Sequence, residues 1–371
     1  VFKKSLQASL LWTHRWFGIL LGFYFILMAF TGVYVLFSGT FEGWLNPALR
    51  LSQNPSESYD IARITKAGIE GIGAGVYPNR INFPEDPSQN AVLNVNVSKD
   101  GEKPQIEQAY VDPSTGLYTG RQNPDTTVRG FLFSFHRDLF VDKKIGRPIV
   151  AINGVLLFIL LLSGLYLWWP KGRFLARSLK WPRLRGPYQS IYDLHKFFGI
   201  YSLALMLMMA TTGIYIAQPN WFEFGGKGEK EKPKDRPGLV KRANTIPFDE
   251  SIDLSKLQTA LEALNVPRRR LVLNFSAEKA RIEIRSLPSG GPERNFNFDL
   301  KSAELKETMA EDKPFEMRRF MLDLHQGHFW RNTGIWLVAL NVPLTLFFFI
   351  SGVYIWWKRP SRIKRKKTIQ A

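Results

Sequence analysis

Cysteine is absent from the 371 residues. That excludes disulfides, thiolate metal sites, cysteine-ligated iron–sulfur clusters and C-x-x-C-H attachment of a c-type haem, so any cofactor must be held by other ligands. Histidine is scarce, with five in all. Carboxylates are nearly missing from three basic segments: the stretch holding Lys3, Lys4 and Arg15, the connection from Lys171 to Arg185, and the tail from Lys358 to Lys367, with Asp193 the exception. Carboxylates are also missing from the middle of the apolar segments, where ion-coupled permeases place theirs.

What is abundant is apolar residues, and they are concentrated. Four blocks, roughly 16–37, 150–169, 197–217 and 335–357, are each about the length that spans a hydrocarbon layer. The sequence therefore predicts a membrane α-helical protein with a four-helix transmembrane bundle. The first block is too long for a signal peptide, lacks a convincing small-residue cleavage site, and is read as a retained helix. A formal net charge of +18 would suggest nucleic acid in a soluble protein. Here the basic residues follow topology, and the expected partner is membrane lipid, with no nucleic acid. By the positive-inside rule the basic segments are cytoplasmic. The expected order is helix 1 with a cytoplasmic N-terminus (1–37), an external domain (38–145), helix 2 (146–170), a basic cytoplasmic loop (171–190), helix 3 (191–217), a second external domain (218–330), helix 4 (331–357) and a basic cytoplasmic tail (358–371). The expected location is the bacterial inner membrane, multi-pass, with both termini cytoplasmic and both domains periplasmic.

The chain also repeats itself. HRWFGILLGFYFILMAFTGVYV (14–35) aligns without a gap on HKFFGIYSLALMLMMATTGIYI (195–216), and AINGVLLFILLLSGLYLWWP (151–170) matches ALNVPLTLFFFISGVYIWWKRP (339–360). Two tandem repeats entering from one side predict a pseudo-two-fold axis along the membrane normal. The external segments read as small α+β modules. SESYDIARITKAGIEG (56–71) and SIDLSKLQTALEALN (251–265) are helical. INF, AVLNVNV, QIEQAYV, RRLVLNF, ARIEIRS and RNFNFDL are strand-like, and DPSTG (112–116) is a turn. GGKGEKEKPKDRPG (225–238) is a charged linker. GIGAGV (71–76) has no strand before it and no helix after it, so it reads as a turn and not as a dinucleotide loop.

The histidines fall into equivalent pairs. His14 and His195 open the odd spans on the cytoplasmic side, each followed four residues later by glycine, Gly18 and Gly199. His136 and His325 precede the even spans on the external side. Interfacial imidazoles bonded at headgroup level are one reading. The symmetry favours another, in which each pair presents two imidazoles to one iron from opposite sides, giving two haem b groups, one near each face. The inner iron is then held by His14 and His195, and the outer by His136 and His325. His328 is a substitute for His325 if the segment is helical throughout, since the two would then share a face. Each span ends in Ser/Thr-Gly. Ser163-Gly164 and Ser351-Gly352 are level with the inner pair, and Thr31-Gly32 and Thr212-Gly213 with the outer. The glycines could make room for a flat macrocycle or serve close helix packing. Trp168, Trp169, Trp356 and Trp357 read as interface anchors. Arg15 and Lys196 inside, and Arg137, Arg318, Arg319 and Arg331 outside, could pair haem propionates or bind headgroups.

W-x-H-R-W-F-G, T-G-V-Y, F-H-R-D-L-F and S-G-L-Y-L-W-W-P make the sequence resemble the PepSY-associated transmembrane family, and within it the bacterial inner-membrane ferric-siderophore reductases of ferrioxamine type. The resemblance covers essentially the whole chain. It implies two PepSY-like external domains, with VDPSTG (111–116) matching the usual turn and NFDLKSAEL (297–305) a degenerate copy. It implies a haem-bearing core and one-electron reduction of iron in a ferric siderophore, releasing Fe(II). Hard oxygen donors hold Fe(III) far more tightly than Fe(II), so reduction frees the metal without breaking the ligand. No flavin or nicotinamide domain of the kind larger relatives carry is seen, which leaves a quinol or a cytoplasmic reductase as electron donor. Competing readings are a non-redox siderophore or iron permease, a regulatory module whose external domains bind a peptide or protease, and a quinol-linked reductase of another periplasmic acceptor.

Overall fold

The computed structural model describes residues 2–73, 76–84, 86–97, 105–170, 175–222, 246–247, 253–276, 279–284, 294–308 and 317–358. The charged linker, Lys171 to Phe174 and the tail beyond Lys358 lie outside them, as does the middle of GIGAGV.

Along the chain, α1 (Phe2–Leu36) is followed by α2 (Ser38–Leu45), α3 (Pro47–Arg50) and α4 (Ile61–Ile72). Strands β1 (Val76–Tyr77), β2 (Arg80–Asn82), β3 (Ala91–Val97), β4 (Gln105–Val111) and β5 (Tyr118–Gln122) come next. Then come α5 (Val128–Asp138), α6 (Lys143–Trp168), α7 (Leu175–Ser178) and α8 (Gly186–Ala217). The second half holds β6 (Ile246–Pro247), α9 (Leu254–Ala263), β7 (Leu271–Phe275), β8 (Lys279–Ile284), β9 (Arg294–Asp299) and β10 (Leu305–Thr308). It closes with α10 (Met317–Gln326), α11 (Arg331–Ala339) and α12 (Asn341–Trp357). The chain divides into two compact units, one of Val1–Leu36, Leu132–Phe224 and Phe315–Ala371, the other of Phe37–Phe131 and Gly225–Pro314.

The first unit is helical. Among the described residues, four stretches are long and apolar enough to cross a membrane: Ser5–Leu36, Lys143–Trp168, Gly186–Ala217 and Thr333–Trp357. α1 packs on α6 and α12, and α8 packs on the same two, which sets α1 diagonally across from α8. The fourth span, expected as one helix, is interrupted at Leu340 between α11 and α12. Pro343 has no N–H for the carbonyl of Ala339, and the Asn341 amide donates to Val338 O (2.8 Å), which satisfies a backbone group beside the gap. Residues 132–145 and 315–330, expected in the external domains, cluster with the helical unit. Within these ranges lie the last turns of α5, and α10 (Met317–Gln326), which packs on α8.

The second unit is built on one sheet. The two segments expected as separate modules contribute a single eight-stranded antiparallel sheet in the order β10-β9-β8-β7-β2-β3-β4-β5, joined where Ile81 of β2 pairs with Leu273 of β7. Each half would otherwise leave an apolar edge strand unpaired, and the junction removes both edges. α4 and α9 pack against one another, and their Ile61, Ile64, Leu257 and Leu261 join Leu93, Val95, Leu273 and Ile282 of the strands in one core. Both helices start later than the sequence pattern suggests because Asp60 and Asp253 cap them, accepting from Arg63 N and Ser255 N. The β4–β5 turn matches the β9–β10 turn: Gly116 N donates to Asp112 O and Ala303 N to Asp299 O. Gly116 (φ 72°) and Ala303 (φ 59°) are both left-handed, so the second copy holds a side chain where the conformation favours glycine.

Candidate functional site

The Ser/Thr-Gly pairs that end the spans each hold one histidine. Thr31 and Thr212 sit one or two turns from the ends of α1 and α8, and their hydroxyls lie 3.2 Å and 2.9 Å from Nδ1 of His136 and His325. Ser163 in α6 and Ser351 in α12 lie 3.0 Å and 2.6 Å from Nδ1 of His14 and His195. A hydroxyl has one proton. In all four it goes to a helix carbonyl one turn back: Thr31 to Leu27 (2.8 Å), Ser163 to Leu160 (2.7 Å), Thr212 to Met208 (2.7 Å) and Ser351 to Phe347 (2.6 Å). The oxygen must then accept, so Nδ1 carries the hydrogen. His14 Nδ1 also faces Leu160 O (3.1 Å) and His136 Nδ1 faces Met28 O (3.0 Å), and a carbonyl can only accept. The tautomer this fixes leaves every Nε2 with a free lone pair, the arrangement by which the second ring nitrogen orients a metal ligand.

The glycines of the motif lie against the histidine rings. A Cβ on Gly164 would fall 2.9 Å from His14 Cε1, and one on Gly32 would fall 2.8 Å from His136 Cε1. Gly352 and Gly213 meet His195 and His325 the same way, at 3.9 Å and 3.5 Å. Gly32 and Gly164 thus make room for an imidazole edge, and Gly164 and Gly352 also line the cavity beside His14 and His195. The glycines four residues after the inner histidines do border open space: a Cβ on Gly199 would meet nothing within 4 Å, and one on Gly18 only Leu160 at 3.9 Å.

The four histidines converge in two pairs. The ring centres of His14 and His195 are 6.4 Å apart, and those of His136 and His325 are 6.3 Å apart. An imidazole nitrogen lies about 1.1 Å from its ring centre and a metal–imidazole bond is about 2.0 Å, so imidazoles on opposite sides of one ion have centres roughly 6.2 Å apart. Both spacings suit bis-imidazole ligation. The inner pair faces a cavity of about 420 Å³ inside the bundle, bordered by Gly18, Gly199, Phe348 and otherwise mostly by Leu, Ile and Phe side chains. Arg15 and Lys196 line it too. Arg15 Nε is buried with no hydrogen-bond partner among the described residues, and its guanidinium lies over the Trp16 ring at 5.4 Å. At the outer pair, burial pushes the His136 and His325 imidazoles toward the neutral form that a ligand requires.

Other expectations are revised. His328 does not share a face with His325: α10 ends at Gln326, Gly327 turns the chain with φ 76°, and His328 is exposed on the 3-10 turn beyond. Trp168 and Trp356 are not simple anchors, because both line the inner cavity, whereas Trp169 (63% exposed) and Trp357 (69%) face outward. Arg137 is engaged by Asp138 at 2.6 Å, Arg318 is exposed, and the Arg331 side chain lies outside the described residues. Arg147 is a residue that sequence reasoning does not find: its Nε is buried and unpartnered among the described residues, on the first turns of α6. Nothing in one more arginine near a span start marks it out.

The fold and site thus define a four-span membrane protein with two transverse histidine pairs and an attached antiparallel sheet unit. Residues 11–359 match the family described as the PepSY-associated TM region, and the chain belongs to that family. It is similar to an uncharacterized protein of Pseudomonas aeruginosa, with 28% identity over 261 residues, 62% of this chain. The match spans 63% of that relative's length.

Proposed function

We propose that the chain is a di-haem b electron-transfer protein of the bacterial inner membrane that reduces ferric iron in a siderophore at its periplasmic face, releasing Fe(II). The observation that carries this reading is the pair of histidine couples, each at ligation spacing and each with Nδ1 tied to a hydroxyl. His14 and His195 would hold one haem, with Gly18 and Gly199 leaving space for it and Arg15 and Lys196 facing its acidic edge. His136 and His325 would hold the other. A haem so bound supplies a reversible one-electron carrier whose potential depends on its axial ligands and surroundings. The protein's own contribution is to keep each Nε2 unprotonated and aimed, to exclude water with the leucine and phenylalanine walls, and to place the two couples at opposite ends of the spans. His14 and Gly32 are 18 residues apart along α1, about 27 Å at helical rise. The matching halves of both units support descent from two tandem repeats, and the basic segments support a cytoplasmic inner end with both sheet segments periplasmic. The interruption between α11 and α12 favours a permease on its face, since transporters use interrupted helices. Its polar groups are spent internally, however: Asn341 bonds Val338, and Thr345 bonds Asn341.

The test is anaerobic mixing of the reduced, detergent-purified chain with a ferric trihydroxamate chelate while a ferrous-specific dye traps released iron. The expected result is reoxidation of the protein with stoichiometric Fe(II), abolished in His136→Leu. Reoxidation by a quinone but not by the chelate would favour the reading in which another acceptor is served.

A further inference from the structure

The connection between α6 and α8 presents a surface that is cationic and apolar at once. From Lys171 to Tyr192 the sequence holds no carboxylate, and Arg177, Lys180, Arg183 and Arg185 are exposed. Interleaved with them, Leu175, Leu179, Trp181 and Leu184 are exposed as well, Trp181 and Leu184 at 61% each. A charge run made only for water has no use for four large apolar side chains in its surface. Nor is the segment a loose tether. After the single turn of α7, the Tyr201 hydroxyl donates to Leu179 O (2.8 Å), and Arg185 N donates to Ser190 Oγ (3.0 Å). The Trp181 ring lies 5.1 Å from that of Phe197 and 6.3 Å from that of Phe198. These ties fold residues 179–185 back along the first turns of α8 and fix their depth. From Ala217, where α8 ends, to Tyr201 is about 24 Å at helical rise, short of the roughly 30 Å of a hydrocarbon core. Leu179, bonded to Tyr201, is therefore held at the edge of that core.

We infer that residues 175–185 are an anchor for anionic phospholipid. Leu175, Leu179, Trp181 and Leu184 seat at the boundary of the acyl chains, and Arg177, Lys180, Arg183 and Arg185 reach the phosphate headgroups. Long cationic side chains can lie along an apolar surface and still place their charge in the headgroup layer. Apolar side chains alternating with cations are the composition of segments that lie in a membrane surface, and each basic residue beside anionic lipid adds to the attraction. The two other occupants fit less well. A second copy of the chain, offering the same surface, would set cations against cations. An acidic soluble protein would answer the charges, but it could not cover apolar side chains held at the depth of Tyr201. The inference uses the crossing of a membrane by α8 and is independent of any haem.

Because the chain has no cysteine, one introduced thiol labels one place. A nitroxide on Leu184→Cys is read in nanodiscs of phosphatidylcholine and phosphatidylglycerol, by its collisions with oxygen, which concentrates in lipid, and with a water-soluble nickel chelate. Leu346→Cys, exposed on α12, gives the hydrocarbon reference. The expected result is a label at 184 that oxygen reaches more readily than nickel does. A label reached mainly by nickel would put the segment in water, and one shielded from both would put protein over it, a second copy or a soluble partner. Either result would overturn the inference. Charge is read separately, by native mass spectrometry of the full chain titrated with each lipid. Phosphatidylglycerol is expected to bind about fivefold more weakly when Arg177→Gln, Lys180→Gln and Arg183→Gln are combined, with phosphatidylcholine unchanged. Lys364→Gln, Lys366→Gln and Lys367→Gln in the tail remove the same charge elsewhere. No loss in the first triple variant, or an equal loss in the second, would also overturn it.

Discussion

Among the described residues, His195 Nδ1 bonds Ser351 without the helix carbonyl that backs His14 and His136, so Ser351 isolates what the hydroxyl of the motif contributes. Ser351→Ala removes the acceptor at 2.6 Å from His195 Nδ1 and leaves Gly352 in place. A lost outer partner of a metal-bound imidazole weakens metal affinity by about 10–100-fold. The expected outcome is a chain that folds normally but loses haem from the His14–His195 site much faster than wild type, measured by transfer of haem to an apo-acceptor protein. Unchanged loss would mean that the serine only bonds its own helix. In the sheet unit, Asp112 is the residue whose protonation matters. Burial works against its charge, but bonds from Ser52, Ser114 and Thr115 outweigh that and hold its carboxyl down to about 2. A lowered folded-state pKa stabilises above the unfolded value and is lost as pH falls through the folded one. Asp112→Asn is therefore expected to cost roughly 2 kcal/mol at neutral pH and progressively less from about pH 4 to pH 2, read from melting curves at both ends.

Close approaches of backbone set the geometry between elements. A Cβ on Gly146 would fall 1.9 Å from Asp138 O, so the start of α6 lies directly against the end of α5, the helix that carries His136. The link between them, Leu139 (φ 56°) and Phe140 (φ 63°), is left-handed at two residues that rarely adopt it. Gly327 and Gly334 meet in the same way beside α10, with a Cβ on Gly334 placed 2.0 Å from Gly327 O. Gly146→Ala must push α5 away, and the expected outcome is loss of the outer haem with the inner one retained, counted by haem per chain. Loss of both, or of neither, would separate α5 from the outer couple. Much of this scale is legible in the sequence. The long strands β3 and β4 follow their alternating text to the residue, and α1, α6 and α8 follow their apolar runs. β5 (YTGRQ) and β10 (LKET) are not legible, because short edge strands carry no alternation and form only where a neighbour offers its ladder. Nor is the placement of α5 and α10 with the helical unit, because local pattern does not say which body a short amphipathic helix will join.

Across the whole molecule, the histidine pairing is legible because two stretches of sequence that align without a gap display it twice. Matched positions in the aligned stretches point to which residues correspond; His14 and His195 meet from α1 and α8, and His136 and His325 from α5 and α10. What the repeat cannot display is division of labour between neighbours: Trp168 inward and Trp169 outward, Gly164 against an imidazole and Gly199 against open space. Those depend on rotation of each helix about its axis, which packing decides. Nor does it show that the two sheet-forming segments close on one another as a single sheet, since pairing of β2 with β7 joins residues almost two hundred positions apart. The central claim is that each histidine couple holds one haem, and the most direct measurement is the pyridine haemochrome content of the purified chain together with its oxidised and reduced visible spectra. The account predicts two b-type, low-spin haems per chain, falling to one in His14→Leu. A chain that stays colourless after haem supplementation, or one whose haem content is unchanged by His14→Leu, would contradict it.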